Sequence, residues 1–184
     1  IYNLETGKIR NYNQTNSQIP DNDVHALFFD SQNRLWIGTG NGTIYYSFNE
    51  NVFRKPGITN WQEVFNENRV YAIDEDQEGK IWFATRNGLH VYSGKTIKSY
   101  YNESYDKNSL TANFIYDVMV DKDQNIWVAA NNGLNKLDQS SGDFTRYIRS
   151  SHTCTNCLIS NEVLCLHQDS QGDIWCAIDW SFLL

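Results

Sequence analysis

The chain has 184 residues, of which 40 % are hydrophobic and 14 % aromatic, which is enough for one ordinary domain with a packed core. Fifteen basic residues stand against twenty-two acidic ones, and because the net charge of −7 repels a phosphate backbone, we expect no nucleic-acid partner. No apolar run approaches the length of a bilayer span, and no signal segment opens the chain. The sequence therefore predicts no membrane segment, and we interpret it as a mature or excised fragment.

A repeat of roughly 46 residues runs through the chain. Its tryptophans are 46, 45 and 48 residues apart, and each follows an aspartate by six residues and an asparagine by fourteen. The repeated positions are Trp36, Trp82, Trp127 and Trp175; Asp30, Asp76, Asp121 and Asp169; and Asn22, Asn68, Asn113 and Asn161. Co-registered positions in four units predict a repeat architecture in which each unit is one supersecondary element.

Taken in chain order, the predicted elements of a unit are four short strands. In the second unit they lie at about Arg69–Glu75, Lys80–Thr85, Leu89–Ser93 and Ile97–Tyr101. The dipeptide Asn87-Gly88 between the second and third strands is typical of a tight hairpin. No stretch has helical periodicity, and four-stranded meanders that repeat every 40 to about 50 residues are typical of propeller blades. We therefore predict an all-β fold, a β-propeller with four-stranded antiparallel blades.

The chain contains about four blades' worth of strands in a single propeller fragment, residues 1–184. We predict a half-blade at 1–13, whose pattern matches the third and fourth strands at 134–147, three complete blades at about 22–65, 68–101 and 113–149, and a half-blade at 161–178. Unpaired strand edges recruit other chains. Three arrangements satisfy them: a four-bladed ring within one chain, an exchange of half-blades between two chains, or pairing inside a longer propeller. We favour a portion of a larger protein that forms a homodimer through its half-blade edges.

The repeated residues have structural interpretations. We expect each tryptophan to pack between adjacent blades, each aspartate to form a turn, and each asparagine to cap backbone amides between blades. Residues 74–79 superficially resemble the start of a calcium loop, but Thr85 stands where the loop needs a bidentate glutamate, so no metal site is predicted. No cofactor is predicted either.

The four cysteines do not form a zinc-binding pattern. Cys154 and Cys157 make a single C-x-x-C, and no second pair completes a set of four ligands. We interpret these two as free or disulfide-linked loop thiols, with a metal site as the last option. Cys165 occupies the place of Ala26 and Ala72 and is predicted to be a small core residue.

These residues, read together, resemble the two-component regulator propeller repeat. The second unit shows the pattern most fully, from Asn68-Arg69-Val70 to Ile81-Trp82-Phe83-Ala84-Thr85-Arg86-Asn87-Gly88-Leu89. Essentially the whole chain is covered. At its end the chain departs from the family pattern, because Ile178-Asp179-Trp180 stands where Thr-x-Asn-Gly-Leu would continue.

The resemblance implies the periplasmic sensor region of a bacterial hybrid two-component system, a sensor histidine kinase of the kind found in Bacteroides-type bacteria. Such regions detect fragments of complex polysaccharides, so the implied ligand is a glycan. The kinase, sandwich and membrane parts of these proteins are not in this sequence. We therefore expect a sensing or binding module that is not itself an enzyme.

Ligand-binding candidates lie on the rim that carries the loops between blades and the turns between second and third strands. This rim is rich in Asn, Ser and Tyr, and its composition suits a glycan because sugars bind aromatic faces and bidentate polar groups. Arg86, Asn131 and Trp61 break the repeat at rim positions, and Tyr105 lies in the long loop after the second blade. These four residues are the predicted ligand contacts.

Two rival functions stay open. Propellers also serve as protein–protein interaction scaffolds, and some are lyases or glycosidases, so the fold alone does not decide. Catalysis would need a distinctive cluster of carboxylates or histidines. The four histidines fall at unrelated points of the repeat and most acids fall at repeated turns, so no catalytic residue is predicted.

Overall fold

The computed structural model describes residues 1–149 and 157–179. Three four-stranded antiparallel sheets and one two-stranded sheet follow one another along the chain. The strands are β1 (Val24–Phe29), β2 (Arg34–Thr39), β3 (Gly42–Ser47) and β4 (Val52–Arg54); β5 (Val70–Glu75), β6 (Ile81–Thr85), β7 (Gly88–Tyr92) and β8 (Ile97–Tyr100); β9 (Ile115–Val120), β10 (Ile126–Ala130), β11 (Gly133–Leu137) and β12 (Phe144–Tyr147); and β13 (Val163–Gln168) and β14 (Ile174–Ile178). One short helix, α1 (Trp61–Phe65), precedes β5. The predicted all-β fold with four-stranded antiparallel blades is confirmed, and each sheet is called a blade below.

One hydrogen-bonded pair organises the start of every blade. In the second blade, Asp76 Oδ1 accepts the backbone N–H groups of Glu78 and Lys80 at 3.0 Å each, which closes the turn between β5 and β6. Its Oδ2 accepts the indole N–H of Trp82 on β6 at 3.0 Å. The same bond recurs in the other blades, at 2.7 Å between Trp36 and Asp30, and at 2.8 Å both between Trp127 and Asp121 and between Trp175 and Asp169. The six-residue spacing therefore has one cause, because the two repeated residues are partners in a single bond.

The blades stack through their first strands. β1 contacts β5, β5 contacts β9 and β9 contacts β13, so the first strands lie along the inner side of the stack. The core between the first two blades contains Trp36 and Phe83, and the core between the second and third contains Trp82 and Val118. A smaller core joins the third blade to Val163 on β13. Burial of large apolar side chains between neighbouring blades holds the stack together.

The burial of each repeated tryptophan depends on the blade that follows it. Trp36 and Trp82 are 0 % and 2 % exposed, and Trp127 is partly buried, whereas Trp175 is 65 % exposed. The expectation that every tryptophan packs between blades is wrong for Trp175, because no blade follows β14 among the described residues. The prediction that Cys165 is a core residue is wrong for the same reason. Cys165 is exposed, whereas Ala26 and Ala72, at the same position of earlier blades, pack against the next blade.

Residues 1–13 form less regular structure than the predicted half-blade. They contain one isolated antiparallel bridge, between Tyr2 and Ile9. The segment lies against the outer part of the first blade, where the ring of Tyr12 is 5.2 Å from that of Phe53. Among the described residues β14 pairs only with β13, so the four-bladed ring closed within one chain is not formed.

The helix α1 was not predicted, because its five residues make little more than one turn and carry no periodicity. Trp61 and Phe65 are its buried residues, and both join the core between the first two blades. Within residues 1–149 and 157–179, no helix has the length and apolar character needed to cross a bilayer.

Glycine positions the tight turns between second and third strands. Gly88 begins β7 with a φ of 102°, and a Cβ there would lie 2.9 Å from the carbonyl oxygen of Tyr100. The two turn residues are therefore Arg86 and Asn87, one position earlier than the predicted Asn87-Gly88 hairpin. This shift places Arg86 in the turn itself.

His90 is a buried histidine on β7, with 1 % of its surface exposed. Its Nδ1 lies 2.8 Å from Ser99 Oγ and its Nε2 lies 3.1 Å from the carbonyl oxygen of Asn87. The rings of Phe65 and Tyr101 meet it edge-on at 5.6 and 5.9 Å. Burial lowers the pKa of His90 to about 4, against a smaller opposing effect of the Asn87 hydrogen bond, so the imidazole is neutral at pH 7.

Replacing Asp76 with alanine removes the acceptor of a buried indole and of two turn amides. Because one unsatisfied buried donor costs about 1–3 kcal/mol, we expect Asp76→Ala to lower the free energy of unfolding by about 3 kcal/mol in urea denaturation. Asp138→Ala is the matched control, since Asp138 also caps a turn, through the N–H of Ser140, but is exposed. An equal decrease in the free energy of unfolding in the two variants would contradict the role assigned to the Trp–Asp hydrogen bond.

The neutral His90 makes stability depend on pH. The unfolded chain takes up a proton below a pKa of 6.5, whereas the folded chain does not until about 4, so stability is lost as the pH falls through this window. We expect the contribution of His90 to lower the free energy of unfolding by about 2 kcal/mol as the pH falls from 7.5 to 5. His90→Gln should remove that part of the pH dependence, and His167→Gln, at an exposed position, should retain it. An identical pH profile for wild type and His90→Gln would refute the assignment.

Candidate functional site

Each blade brings the turn after its second strand to the start of its first strand. A backbone hydrogen bond joins the two. Its donor is the N–H of the residue four positions after the repeated tryptophan, and its acceptor is the carbonyl of the residue thirteen positions before that tryptophan. The four bonds are Gly40 to Asp23 at 2.8 Å, Arg86 to Arg69 at 2.9 Å, Asn131 to Phe114 at 3.1 Å and Asp179 to Glu162 at 3.0 Å. Equivalent positions of all four blades therefore lie at the same end of the stack.

A β-bulge at the start of each first strand adds a further residue to this end. The register of strand pairing shifts between Val24 and Ala26 in the first blade, and at the same place in the other three. The extra residue is His25, Tyr71, Tyr116 or Leu164. Bulges bend a strand and re-aim a side chain, and they are common beside functional sites.

These positions together form a surface that we call the inner rim. It comprises Asp23, His25 and Gly40; Arg69, Tyr71 and Arg86; Phe114, Tyr116 and Asn131; and Glu162, Leu164 and Asp179. The backbone is repeated from blade to blade, but the set of side chains that it carries differs from one blade to the next. A repeated scaffold with varied side chains is an arrangement suited to recognition rather than to packing.

The centre of the inner rim is a band of half-buried aromatic rings. The ring of Tyr71 lies 5.2 Å from that of Phe114 and 6.1 Å from that of Tyr116, and the last two are 4.8 Å apart. The imidazole of His25 continues the band at 5.7 Å from Tyr71. The band thus crosses three blades.

Charged groups flank both ends of the aromatic band. At one end, Asp23 Oδ2 lies 3.0 Å from His25 Nε2 and 3.2 Å from Arg69 Nη2. At the other end, the hydroxyl of Tyr116 donates to Glu162 Oε1 at 2.6 Å. Burial, and then the Glu162 carboxylate, raise the pKa of Tyr116 to about 12, so its hydroxyl stays protonated and acts as a donor.

Two carboxylates on the inner strands have a structural role. Asp74 Oδ2 accepts the N–H of Val120 at 2.6 Å, and Asp117 Oδ2 accepts the N–H of Leu166 at 2.8 Å, so each joins its first strand to that of the next blade. Burial raises the pKa of both carboxyl groups. Backbone amides already occupy their oxygens, so they serve the scaffold and not an acid–base pair.

The repeated asparagines are occupied in the same way. Asn113 Oδ1 accepts the N–H of Asn102 at 2.6 Å, which ties the end of one blade to the start of the next. The other side-chain carbonyls accept the N–H groups of Gln14, Asn87 and Arg149, for Asn22, Asn68 and Asn161 respectively. The bonds of Asn113 and Asn161 tie one blade to the next, whereas Asn68 caps the turn between β6 and β7 of its own blade and Asn22 bonds the segment before the first blade.

The structure separates the four predicted ligand contacts. Arg86 and Asn131 are exposed on the inner rim, beside Arg69 and Phe114. Trp61 is 3 % exposed in the core between the first two blades, and Tyr105 is fully exposed in the loop between β8 and β9. The predicted disulfide requires Cys154, which lies outside the described residues, so that pairing stays a prediction.

Sequence reasoning missed the aromatic band. The sequence feature that could have revealed it is the repeat position eleven residues before each tryptophan. The four units carry His25, Tyr71, Tyr116 and Leu164 there. A position that changes among His, Tyr and Leu from unit to unit is one that packing does not dictate. The bulge that turns this position onto the inner rim has no signature in the sequence.

Comparison with known proteins supports the repeat. The model of the two component regulator propeller family matches residues 18–41, 65–87, 109–132 and 157–179, together 94 of the 184 residues. Among curated proteins, none matches the chain significantly.

Several solved structures share the fold. The extracellular domain of a hybrid two-component system from B. thetaiotaomicron is 27 % identical with a TM-score of 0.73, and the match covers 91 % of this chain and 22 % of that one. Virginiamycin B lyase from Staphylococcus aureus is 18 % identical with a TM-score of 0.68, covering 96 % and 54 %. PorZ, a component of the type-IX secretion system of Porphyromonas gingivalis, is 16 % identical with a TM-score of 0.69, covering 94 % and 28 %. The last two show the fold alone.

The described chain thus combines three propeller blades and the first half of a fourth with a repeat that matches one family in all four units. It spans about a fifth of the first of these structures and about half of the second. The chain belongs to the two-component regulator propeller family.

Proposed function

We propose that this chain is the sensing part of a hybrid two-component protein and that its inner rim binds a polysaccharide-derived glycan. The observation that carries the proposal is the aromatic band of Tyr71, Phe114 and Tyr116 with charged groups at both ends. Pyranose rings stack their C–H faces on half-exposed aromatic rings. Carboxylates and guanidinium groups hold sugar hydroxyls through charge-assisted hydrogen bonds.

The chemistry of the rim favours binding over catalysis. Tyr116 is held as a protonated donor, and Asp23 is paired with His25 and Arg69. A hydrolase or lyase would need an acid and a base facing one substrate atom, with pKa values pushed apart. The likeness to virginiamycin B lyase concerns the fold, so we propose no enzymatic activity for this chain.

Family membership and the similar B. thetaiotaomicron structure support a place outside the cytoplasm. We place the chain in the periplasm, as the sensor portion of an inner-membrane histidine kinase. A ligand on the inner rim would contact several blades at once, so its binding would bias how they pack and pass a signal along the stack.

The first test is ligand-induced stabilisation by a panel of defined oligosaccharides, among them pectic, xylan, arabinan and glycosaminoglycan fragments. A ligand at 100 times its dissociation constant stabilises a folded protein by about 2.7 kcal/mol, which is readily seen in the melting temperature. We expect at least one fragment to stabilise the chain, and Tyr71→Ala to weaken its binding at least about tenfold.

Tyr105→Ala is the matched control, because Tyr105 is an exposed tyrosine away from the inner rim. It should leave binding unchanged. Loss of glycan binding in Tyr105→Ala but not in Tyr71→Ala would show that the binding site is the loop before β9 and not the inner rim. A panel without any stabilising fragment would favour the rival function, a protein–protein interaction scaffold.

We also propose self-association through the open faces at the two ends of the stack. The outer face of β1 exposes Leu27 and Phe29 at 65 % and 56 %, and β14 exposes Trp175 at 65 %. Among the described residues, β14 pairs only with β13, and residues 1–13 carry the sequence pattern of a third and a fourth strand. A second copy can supply both the missing strands and the cover for these side chains.

Light scattering behind size exclusion, over a range of concentrations, tests this proposal. We expect a dimer in the wild type and dissociation toward a monomer in Trp175→Ser and in Leu27→Ser. Tyr105→Ser, at an exposed tyrosine away from both faces, should remain dimeric. A monomer at every concentration would rule the dimer out.

A further inference from the structure

The loop between the first two blades encloses a cavity distinct from the inner rim. It has a volume of about 140 Å³ and lies between α1, the turn between β2 and β3, and the chain after β4. Trp61 and Phe65 form its buried wall, and Asn41, Lys55 and Gln62 are exposed around it. The cavity has room for a single sugar ring rather than for a chain of them.

Trp61 differs from the four repeated tryptophans in its hydrogen bonding. Each of those donates its indole N–H to an aspartate. The indole N–H of Trp61 has no acceptor among the described residues, although the side chain is only 3 % exposed. Its ring contacts Trp36, Phe65, Phe83 and Tyr92 at centroid distances of 4.5–6.1 Å.

Trp61 lines the cavity, and its indole N–H is the polar group of this side chain. No buried side-chain nitrogen or oxygen of the described chain lacks a hydrogen-bond partner, so the unpaired indole nitrogen must keep contact with solvent. The rest of the ring is packed in the core, and the cavity is the open space against it. Water meets this donor when the cavity holds no ligand, and a ligand that brings an acceptor can take the place of that water.

The other polar side chains at the cavity can also donate hydrogen bonds. Lys55 forms no ion pair within the described part of the chain, and no carboxylate lines the cavity. Asn41 Oδ1 accepts the N–H of Glu67 at 2.7 Å, which leaves the amide NH₂ of Asn41 free to donate. Gln62 and Asn66 add two side-chain amides. The lining therefore combines one positive charge with several donors and suits an acceptor-rich anion.

We propose that this cavity binds an acidic monosaccharide, a hexuronate. Its carboxylate lies between the Lys55 ammonium and the Trp61 indole N–H, and its hydroxyls meet the side-chain amides of Asn41, Gln62 and Asn66. The site is separate from the inner rim and does not depend on what binds there. It gives the chain a second recognition element for the same broad class of ligand.

Nuclear magnetic resonance of the indole N–H groups tests the proposal on the full chain. Trp61→Phe identifies the Trp61 signal, and D-glucuronate is then titrated into the wild type. We expect the Trp61 signal to move in a saturable way while the signals of the four aspartate-bonded tryptophans stay in place. Lys55→Gln should weaken the response at least tenfold, and Lys107→Gln, at an exposed lysine away from the cavity, should not.

D-glucose and acetate complete the experiment. An equal response to D-glucose, or an unchanged response in Lys55→Gln, would overturn recognition of the carboxylate. An equal response to acetate would overturn recognition of the sugar, and a Trp61 signal that never moves would overturn the site. Tyr71→Ala should leave the Trp61 response unchanged, so failure here and failure of the inner-rim proposal are distinguishable.

Discussion

The hydrogen bond from a repeated tryptophan to the aspartate six residues before it is the contact on which the rest of the structure depends. One carboxylate oxygen closes the turn between first and second strands, and the other fixes the indole. The indole in turn fills the space against the next blade, as Trp36 and Trp82 do. A single side chain thus links a local turn to the packing between blades, which explains why one spacing recurs in every unit.

Because this scaffold is repeated, the chain can vary other positions without losing its fold. The bulge at the start of each first strand delivers one variable residue per blade to the inner rim, and the neighbouring turn delivers another. Tyr71 of the second blade and Phe114 and Tyr116 of the third, with their charged neighbours, form the surface that we propose as the binding site. Asp74 and Asp117 support this surface, because they bond the inner strands of adjacent blades to each other.

Packing between blades also explains which core positions of the repeat are exposed. A blade face is buried only if another blade covers it, so Trp175 and Cys165 are exposed although they occupy core positions of the repeat. At the opposite end, β1 exposes Leu27 and Phe29 for the same reason. The helix α1 is a further local departure, and it closes the cavity beside Trp61 between the first two blades.

The sequence by itself determined the all-β class, the four units, their register and the family, because the tryptophan, aspartate and asparagine positions are dictated by local bonds that every unit repeats. It also placed Arg86 and Asn131 in the turns after second strands, since repeat register fixes which turn faces which end; their role as ligand contacts stays a prediction. Only the tertiary structure decided that Tyr71 and Tyr116 form a band, because a bulge has no sequence signature. It likewise decided that Trp61 is buried with a free N–H and that Trp175 is uncovered, since both depend on neighbours distant in the chain.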